Sequence, residues 1–150
     1  MNNYQDDGLG NFSTTGAPVL FLLALDKAAG AAWTSSGANP NYYKITLPLA
    51  TTATASGLAN FSEALGTTGK AKQMYMGDLH GNLWKLDFDL ASAGTADWTM
   101  NKLSPFIKSS VAYPLYIAKD GTVNTNRQPI TMAPSLIRGN SASSTYVAFG

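Results

Sequence analysis

The residues of this chain that could carry chemistry are few. His80 is the only histidine, so a Ser-His-Asp triad or a multi-histidine metal site is excluded within the chain. The absence of cysteine excludes a disulfide framework, a thiolate nucleophile and a cysteine zinc site. A general base needs a partner to orient it, and His80 stands among turn-forming residues, which favours a surface turn position over a general base. We therefore predict no catalytic residue.

Two other groups of residues could bind an ion or a flat ligand. Asp6, Asp7 and Asn11 offer the oxygen atoms that calcium prefers, but they lack the regular spacing and terminal glutamate of a calcium loop, so a solvated turn is favoured. The tryptophans could form a stacking platform, although aromatic side chains in strands more often bury area between sheets. They are Trp33, Trp84 and Trp98. We predict no metal-binding and no cofactor-binding residue.

The most strongly patterned stretch is Gln73 to Asp89, which is typical of two short strands about one turn. Apolar residues alternate before the turn, and a strand-like run resumes after it. Gly81 can adopt the positive φ of a tight turn, while the short side chains of Asp78 and Asn82 can bond nearby backbone amides. The pattern predicts a hairpin. Its structural motif residues are Gly77, Asp78, Gly81, Asn82, Trp84 and Asp87.

Length and composition favour one all-β domain. The chain has 150 residues, of which 45% are hydrophobic, and its glycines, prolines, threonines and asparagines suit strands joined by turns. Charged residues make up 13% and the net charge is +1, so no electrostatic footprint for nucleic acid or an anionic membrane is present. The apolar run at residues 17–25 is too short to span a bilayer, and no signal peptide is visible. Export would depend on a segment not present in this chain.

The hairpin resembles the blade signature of a known family. Tyr75 to Asp87, YMGDLHGNLWKLD, is similar to a repeat in the C-terminal β-propeller of PilY-type proteins of type IV pili, and more loosely to the repeat of quinoprotein propellers. The order of four other pieces agrees with the first family: residues 2–4, 20–30, 56–58 and 147–150. The resemblance implies an all-β fold, a β-propeller fragment of about two to three four-stranded antiparallel blades.

The blade scheme implies that residues 1–48 end one blade, residues 49–110 form a nearly complete blade and residues 111–150 start the next. An internal repeat agrees with it, because Leu25-Asp26 followed by Trp33 parallels Leu86-Asp87 followed by Trp98. That repeat is longer than the roughly 40 to 50 residues usual for a blade, and we assign the excess to a loop over residues 51–72.

The remaining segments are predicted from turn residues and short apolar runs. Residues 1–17 are expected to form a loop or an entering edge strand, and residues 19–33 a strand, a turn and a second strand. Residues 98–100 are expected to begin an outer strand. Residues 130–137 and 145–150 are expected to form two further strands.

The resemblance also implies a function, namely a non-enzymatic scaffold in a type IV pilus assembly protein or tip-associated adhesin. Its location would be the cell surface, the pilus or the outer membrane and periplasm. Its partners would be minor pilins, other pilus assembly components, or host or surface receptors, and not nucleic acid. Two alternatives remain: a quinone-cofactor dehydrogenase of the pyrroloquinoline type, and a binding platform in outer-membrane assembly.

Calcium is a further implication of the family. A calcium-binding loop rich in Asp and Asn commonly precedes the strand equivalent to residues 74–78. Here residues 63–72 hold one carboxylate, Glu63, and two lysines, Lys70 and Lys72, so a divalent cation would meet too few oxygens. We therefore expect no cofactor in this chain, while calcium remains possible in full-length members of the family.

Overall fold

The computed structural model describes residues 16–49, 56–91, 98–121, 126–141 and 144–150. Over these ranges the chain forms ten β-strands, one short helix, α1 (Met100–Leu103), and a single 3-10 turn at Phe88–Leu90. The strands in chain order are β1 Val19–Leu23, β2 Tyr42–Thr46, β3 Leu58–Leu65, β4 Ala71–Asp78, β5 Asn82–Asp87, β6 Ile107–Lys108, β7 Val111–Ala112, β8 Tyr116–Ile117, β9 Ser135–Arg138 and β10 Thr145–Ala148.

The largest sheet has four antiparallel strands in the order β3-β4-β5-β8. Its two central strands are the arms of the predicted hairpin, with Met76 opposite Trp84 and Gly77 opposite Leu83. The prediction of a hairpin over this stretch is therefore confirmed. Strand β3 is an edge strand, and its register with β4 shifts between Leu58 and Phe61.

The core lies against one face of the central hairpin. Side chains two residues apart on a strand point to the same face, so Met74 and Met76 of β4 join Trp84 and Leu86 of β5 in one apolar layer. Strands β1 and β2 and helix α1 cover this layer. The other buried members of the cluster are Leu20, Ile45, Leu47, Leu58, Met100, Leu103 and Ala112.

Three smaller antiparallel pairs surround the main sheet: β1 with β2, β6 with β7, and β9 with β10. In the first pair Leu20 lies opposite Ile45, and both side chains are buried, while Phe21 is half exposed. The alternation follows from the two-residue period of a strand that has one face on the core.

The all-β prediction is confirmed, and the described residues form no closed propeller. The four-stranded sheet ends with β8, which lies beyond residue 110, where we placed the end of the middle blade. The blade boundaries themselves remain a prediction.

The loop expected over residues 51–72 is wrong from residue 58 onward, because Leu58–Leu65 forms β3 and β4 begins at Ala71. Small and polar residues suit an edge strand that is exposed on one side, which made the segment resemble a loop. The exposure of this edge strand extends to a large apolar residue, because the side chain of Phe61 is 49% exposed although it pairs with Met76. Residues 51–55 lie outside the described residues.

The outer strand expected at residues 98–100 is also wrong, because α1 starts at Met100. Met100 and Leu103 are three residues apart and both buried, which is the spacing of one helical face. The backbone N–H of Leu103 donates to the carbonyl oxygen of Thr99 at 2.9 Å, so burial of this face sets the local structure.

The second strand expected within residues 19–33 is absent, since the partner of β1 is Tyr42–Thr46. Asn41 holds the intervening segment in another conformation: its side-chain amide donates to the Ala32 carbonyl, and its Oδ1 accepts from the Thr34 N–H. The internal repeat is also wrong, because the two leucines that it equates differ in secondary structure and in burial. Leu25 is 96% exposed in a turn, whereas Leu86 is 0% exposed within β5.

The two strands expected near the end of the sequence are shorter than predicted. Over residues 130–137, strand β9 begins only at Ser135, because the prolines at positions 129 and 134 have no N–H to donate to a ladder. Within residues 145–150, strand β10 covers Thr145–Ala148. The expected loop at residues 1–17 lies almost wholly outside the described residues.

Candidate functional site

The turn between β4 and β5 is built around the carboxylate of Asp78, which is buried at 1% exposure. Its Oδ1 accepts hydrogen bonds from the backbone N–H groups of His80 and Asn82, both at 2.9 Å. Its Oδ2 accepts from the Asn82 side-chain amide and from the Trp84 indole N–H, both at 2.8 Å. These donors compensate the cost of burying the charge, because hydrogen bonds to an ionised group are strong.

Asn82 connects this turn to a distant part of the chain. Its amide nitrogen donates to Asp78, so its Oδ1 is left to accept from Nη1 of Arg127 at 2.8 Å. The same guanidinium nitrogen donates to the His80 carbonyl at 3.3 Å, and the N–H of Ile130 donates to the Asp78 carbonyl at 3.1 Å. The predicted backbone bonding therefore holds for Asp78, whereas the Asn82 side chain bonds other side chains.

The two motif glycines allow the chain to pass close to the turn. Gly81 has φ +72°, and a Cβ at that position would lie 2.5 Å from the carbonyl oxygen of Gln128 and 2.8 Å from that of Ala118. A Cβ at Gly77 would lie 2.9 Å from the carbonyl oxygen of Ile130. Both glycines are thus required by close approach, and Gly81 also by its left-handed conformation.

Asp87 lies at the end of β5 and is half-buried. Its carboxylate accepts from the Gln73 side-chain amide at 3.0 Å and from the Asp89 N–H at 3.1 Å, and Gln73 in turn accepts from the Tyr75 hydroxyl at 2.9 Å. Burial raises the pKa of Tyr75, and the nearby charge of Asp87 adds to this. Asp87 therefore orders one strand end.

The tryptophans are not in ring contact with one another in the part of the chain that the structure describes. Trp84 is 1% exposed within the core, Trp98 stacks on Tyr43 with ring centroids 4.6 Å apart, and half-exposed Trp33 lies under the ammonium of Lys27. These positions suit packing better than a shared stacking platform.

The other candidate residues are spread over the chain. His80 lies at the tip of the turn, with its N–H bound to Asp78, and Asp26 lies in an exposed turn after β1. Lys72, in the place of the family's calcium loop, has its ammonium 2.8 Å from the Asp89 carboxylate, and this contact raises the pKa of Lys72. Asp6, Asp7 and Asn11 lie outside the described residues.

A cleft of about 320 Å³ opens beside the Asp78 turn. Asn82, Trp84 and Arg127 line it on the side of the turn, and the β6–β7 hairpin lines it on the opposite side with Lys108 and Val111. The cleft could not be predicted from local sequence, because 45 residues separate Asn82 from Arg127 and no local pattern joins them. The sequence signal for this side of the cleft is Arg127, one of two arginines in the chain, after a polar stretch.

The β6–β7 hairpin holds an unfavourable turn. Ser109 and Ser110 have φ of 51° and 64°, a pair of left-handed residues that a two-residue turn requires and that Asn-Gly supplies at lower cost. Asn101 of α1 supports the turn, since its side chain donates to the Ser110 carbonyl at 3.2 Å and accepts from the Ala112 N–H at 2.7 Å. Ser109 and its neighbour Lys108 both line the cleft.

Within the described ranges, no helix is long and apolar enough to cross a membrane. Over the same ranges, no three His, Cys, Asp or Glu side chains lie together in a group that could hold a metal ion.

Comparisons with known proteins show a similarity to a solved structure. No family model and no curated protein sequence matches the chain. The crystal structure of the C-terminal domain of PilY1 from Pseudomonas aeruginosa is similar, with 31% sequence identity and a TM-score of 0.52. The match covers 72% of this chain but only 23% of the PilY1 chain, so this chain spans about a quarter of that structure. The similarity of fold and sequence supports a PilY-type relationship for this chain, as the Tyr75–Asp87 motif predicted.

Proposed function

We propose that this chain is part of a non-enzymatic β-propeller scaffold in a type IV pilus assembly protein or tip-associated adhesin. The observation that carries the proposal is the 31% identity with the PilY1 C-terminal domain over 72% of the chain. Because the match covers 23% of that structure, the role of the whole protein is part of the proposal.

The chemistry of the central turn supports a scaffold. Both carboxylate oxygens of Asp78 accept hydrogen bonds that hold the turn and Trp84, so neither is presented to a substrate. A general base needs an oxygen within reach of the proton it removes. The residues that resemble the family most closely therefore stabilise the fold.

The exposed apolar side chains support a role in protein contacts. Phe21 and Leu23 on β1 are about half exposed, and Tyr146 on β10 is 64% exposed. Phe21 and Leu23 are two residues apart and share one face of β1, and contiguous apolar area at a surface is typical of regions that contact other proteins. The partners we propose are minor pilins, other pilus assembly components, or host or surface receptors, and the location we propose is the cell surface or pilus.

The location can be tested with an antibody raised against this chain. Pili sheared from intact cells are separated by centrifugation, and the pilus, outer-membrane and cytoplasmic fractions are blotted. We expect the parent protein in the pilus and outer-membrane fractions. Recovery in the cytoplasmic fraction alone would contradict the proposal, and recovery in the outer membrane of cells that make no pili would favour an outer-membrane assembly platform instead.

The enzymatic alternative can be tested on the full-length parent protein. We expect no dye reduction when the parent is supplied with pyrroloquinoline quinone, calcium, and small alcohols or aldose sugars. Turnover that requires the quinone would contradict the scaffold proposal and support the dehydrogenase alternative. A known quinoprotein dehydrogenase in the same assay provides the positive control.

A further inference from the structure

We propose that the cleft between the Asp78 turn and the β6–β7 hairpin binds a carboxylate carried on a compact apolar body. This inference rests on the geometry of the cleft and not on a role in pili. It concerns a binding site formed by residues of the central turn and by the β6–β7 hairpin, whose Ala112 packs in the core while Lys108 and Ser109 line the cleft.

The charges of the cleft favour an anion. Lys108 and Arg127 both line it, and among the described residues that line it there is no aspartate or glutamate. Neither cation has an acidic side chain within ion-pairing distance in the described part of the chain, where the one ion pair joins Lys72 to Asp89. The buried Asp78 carboxylate lies behind Asn82 and offsets part of the Arg127 charge, which leaves Lys108 as the less compensated cation.

Arg127 is positioned before any ligand arrives, and the exposed Lys108 lies against an aromatic ring of the cleft. Arg127 is fixed through Nη1 by Asn82 and by the His80 carbonyl, and the structure assigns no described acceptor to its Nε and Nη2. The ammonium of Lys108 lies 5.1 Å from the ring centroid of Tyr113, another residue of the cleft. Ordered cations lose less entropy on binding, and a guanidinium fork matches the geometry of a carboxylate.

The strained hairpin is the second independent feature. Two consecutive serines in the left-handed region cost free energy, yet this turn presents Lys108 and Ser109 to the cleft. Such strain is concentrated at binding sites, where it holds a loop in one conformation. Asn101 fixes that conformation from the adjacent helix.

The walls and the size of the cleft define the rest of the ligand. Apolar side chains supply most of the remaining lining, among them Leu49, Val111, Pro114 and Ile117. A volume of about 320 Å³ is near the lower end of the range for ligand pockets, so the cleft suits one carboxylate with one apolar group. Both a free arylalkanoic acid and a glutamate between apolar residues of a peptide present this chemistry.

The test uses the 150-residue chain with two probes, 4-phenylbutyrate and a capped Leu-Glu-Leu peptide. Each is titrated at low ionic strength while the amide signals of Ser109 and Val111 and the indole signal of Trp84 are followed by NMR. We expect saturable shifts at these signals that weaken as salt is added, because the ion pairs are screened. Tighter binding of the peptide assigns the carboxylate to a protein partner, and tighter binding of phenylbutyrate assigns it to a free acid.

Two variants and one neutral probe make the test specific. Lys108→Gln is expected to weaken binding about two- to fivefold, which is the effect of losing one exposed charge pair. Lys85→Gln is the matched control, since Lys85 also lies over an aromatic ring, that of Tyr75, but outside the cleft. The inference is overturned if neither probe shifts these signals, if 4-phenylbutan-1-ol binds as tightly as the acid, or if Lys108→Gln binds like the parent.

Discussion

At the scale of single residues, two aspartates of one hairpin have different roles. The Asp78 carboxylate is 1% exposed and accepts four N–H groups from three residues of the turn and β5. The half-buried Asp87 carboxylate accepts one side-chain and one backbone N–H. The cost of losing a carboxylate oxygen depends on the donors left unpaired away from water, so it is larger at Asp78.

Replacement of Asp78 by asparagine tests this difference. An amide NH₂ would face N–H donors at one of the two oxygen positions, which leaves buried donors without an acceptor. We expect Asp78→Asn to lower the free energy of unfolding by about 2 to 4 kcal/mol, measured by urea denaturation.

The matched control is Asp87→Asn, which makes the same chemical change at a half-buried position of the same hairpin. We expect a loss below about 1 kcal/mol there, since water can satisfy the released donors. Equal losses for the two variants would mean that the four hydrogen bonds of Asp78 contribute nothing particular to stability.

At the scale of elements, the sequence was sufficient where local signals agreed. The central hairpin combined alternating apolar residues with a turn that needs glycine at a left-handed position, and the structure has φ +72° at Gly81. Strand β3 and helix α1 were missed because their state depends on neighbours distant in sequence. β3 is a strand because it pairs with β4, and α1 is a helix because it packs on the core.

In the candidate site, too, contacts between residues distant in sequence could not be predicted. Asp78, Gly81, Asn82 and Trp84 were identified from one motif, because a turn brings residues close in sequence together. Arg127 completes the network from a distant segment, and its contact with Asn82 exists only after the chain has folded.

Two glycines in left-handed turns allow the cost of backbone strain to be measured apart from the cost of close approach by other residues. Gly81 has backbone oxygens of two residues within 2.8 Å of a built Cβ, whereas Gly69, at φ +76°, has nothing within 4 Å. We expect Gly69→Ala to cost about 1 kcal/mol from its φ alone, and Gly81→Ala about 2 to 4 kcal/mol because the segment beside it must also move.

The two alanine variants are compared by their urea midpoints under one set of conditions. Similar losses at the two positions would show that the approach of the Gln128 and Ala118 carbonyls to Gly81 does not constrain the fold. A small loss at both would contradict the left-handed turns as well.

At the scale of the whole molecule, the described strands leave many apolar side chains uncovered. Those at least about half exposed include Phe21, Leu23, Leu65, Tyr116 and Tyr146. The β1–β2 and β9–β10 pairs have only two strands each, and isolated pairs are of marginal stability without further packing. The chain on its own therefore presents surfaces able to associate.

Association is expected to increase with concentration in sizing experiments with light scattering. Replacing Phe21 and Leu23 by threonine keeps strand propensity while removing exposed apolar area, so this double variant should associate less than the parent. The exposed side of the same strand pair already carries a threonine, Thr46 of β2. A monodisperse monomer with a sharp melting transition over the whole concentration range would contradict this expectation.

The role in pilus assembly is the central proposal, and counting surface pili tests it most directly. The segment that encodes this chain is removed in frame from its parent gene, and pili on intact cells are counted by electron microscopy. We predict a large loss of surface pili that the intact gene restores, and that a gene carrying Lys85→Gln restores equally. The parent strain must be shown to express the unmodified protein. If it does, an unchanged number of pili in the deletion strain would contradict the proposal.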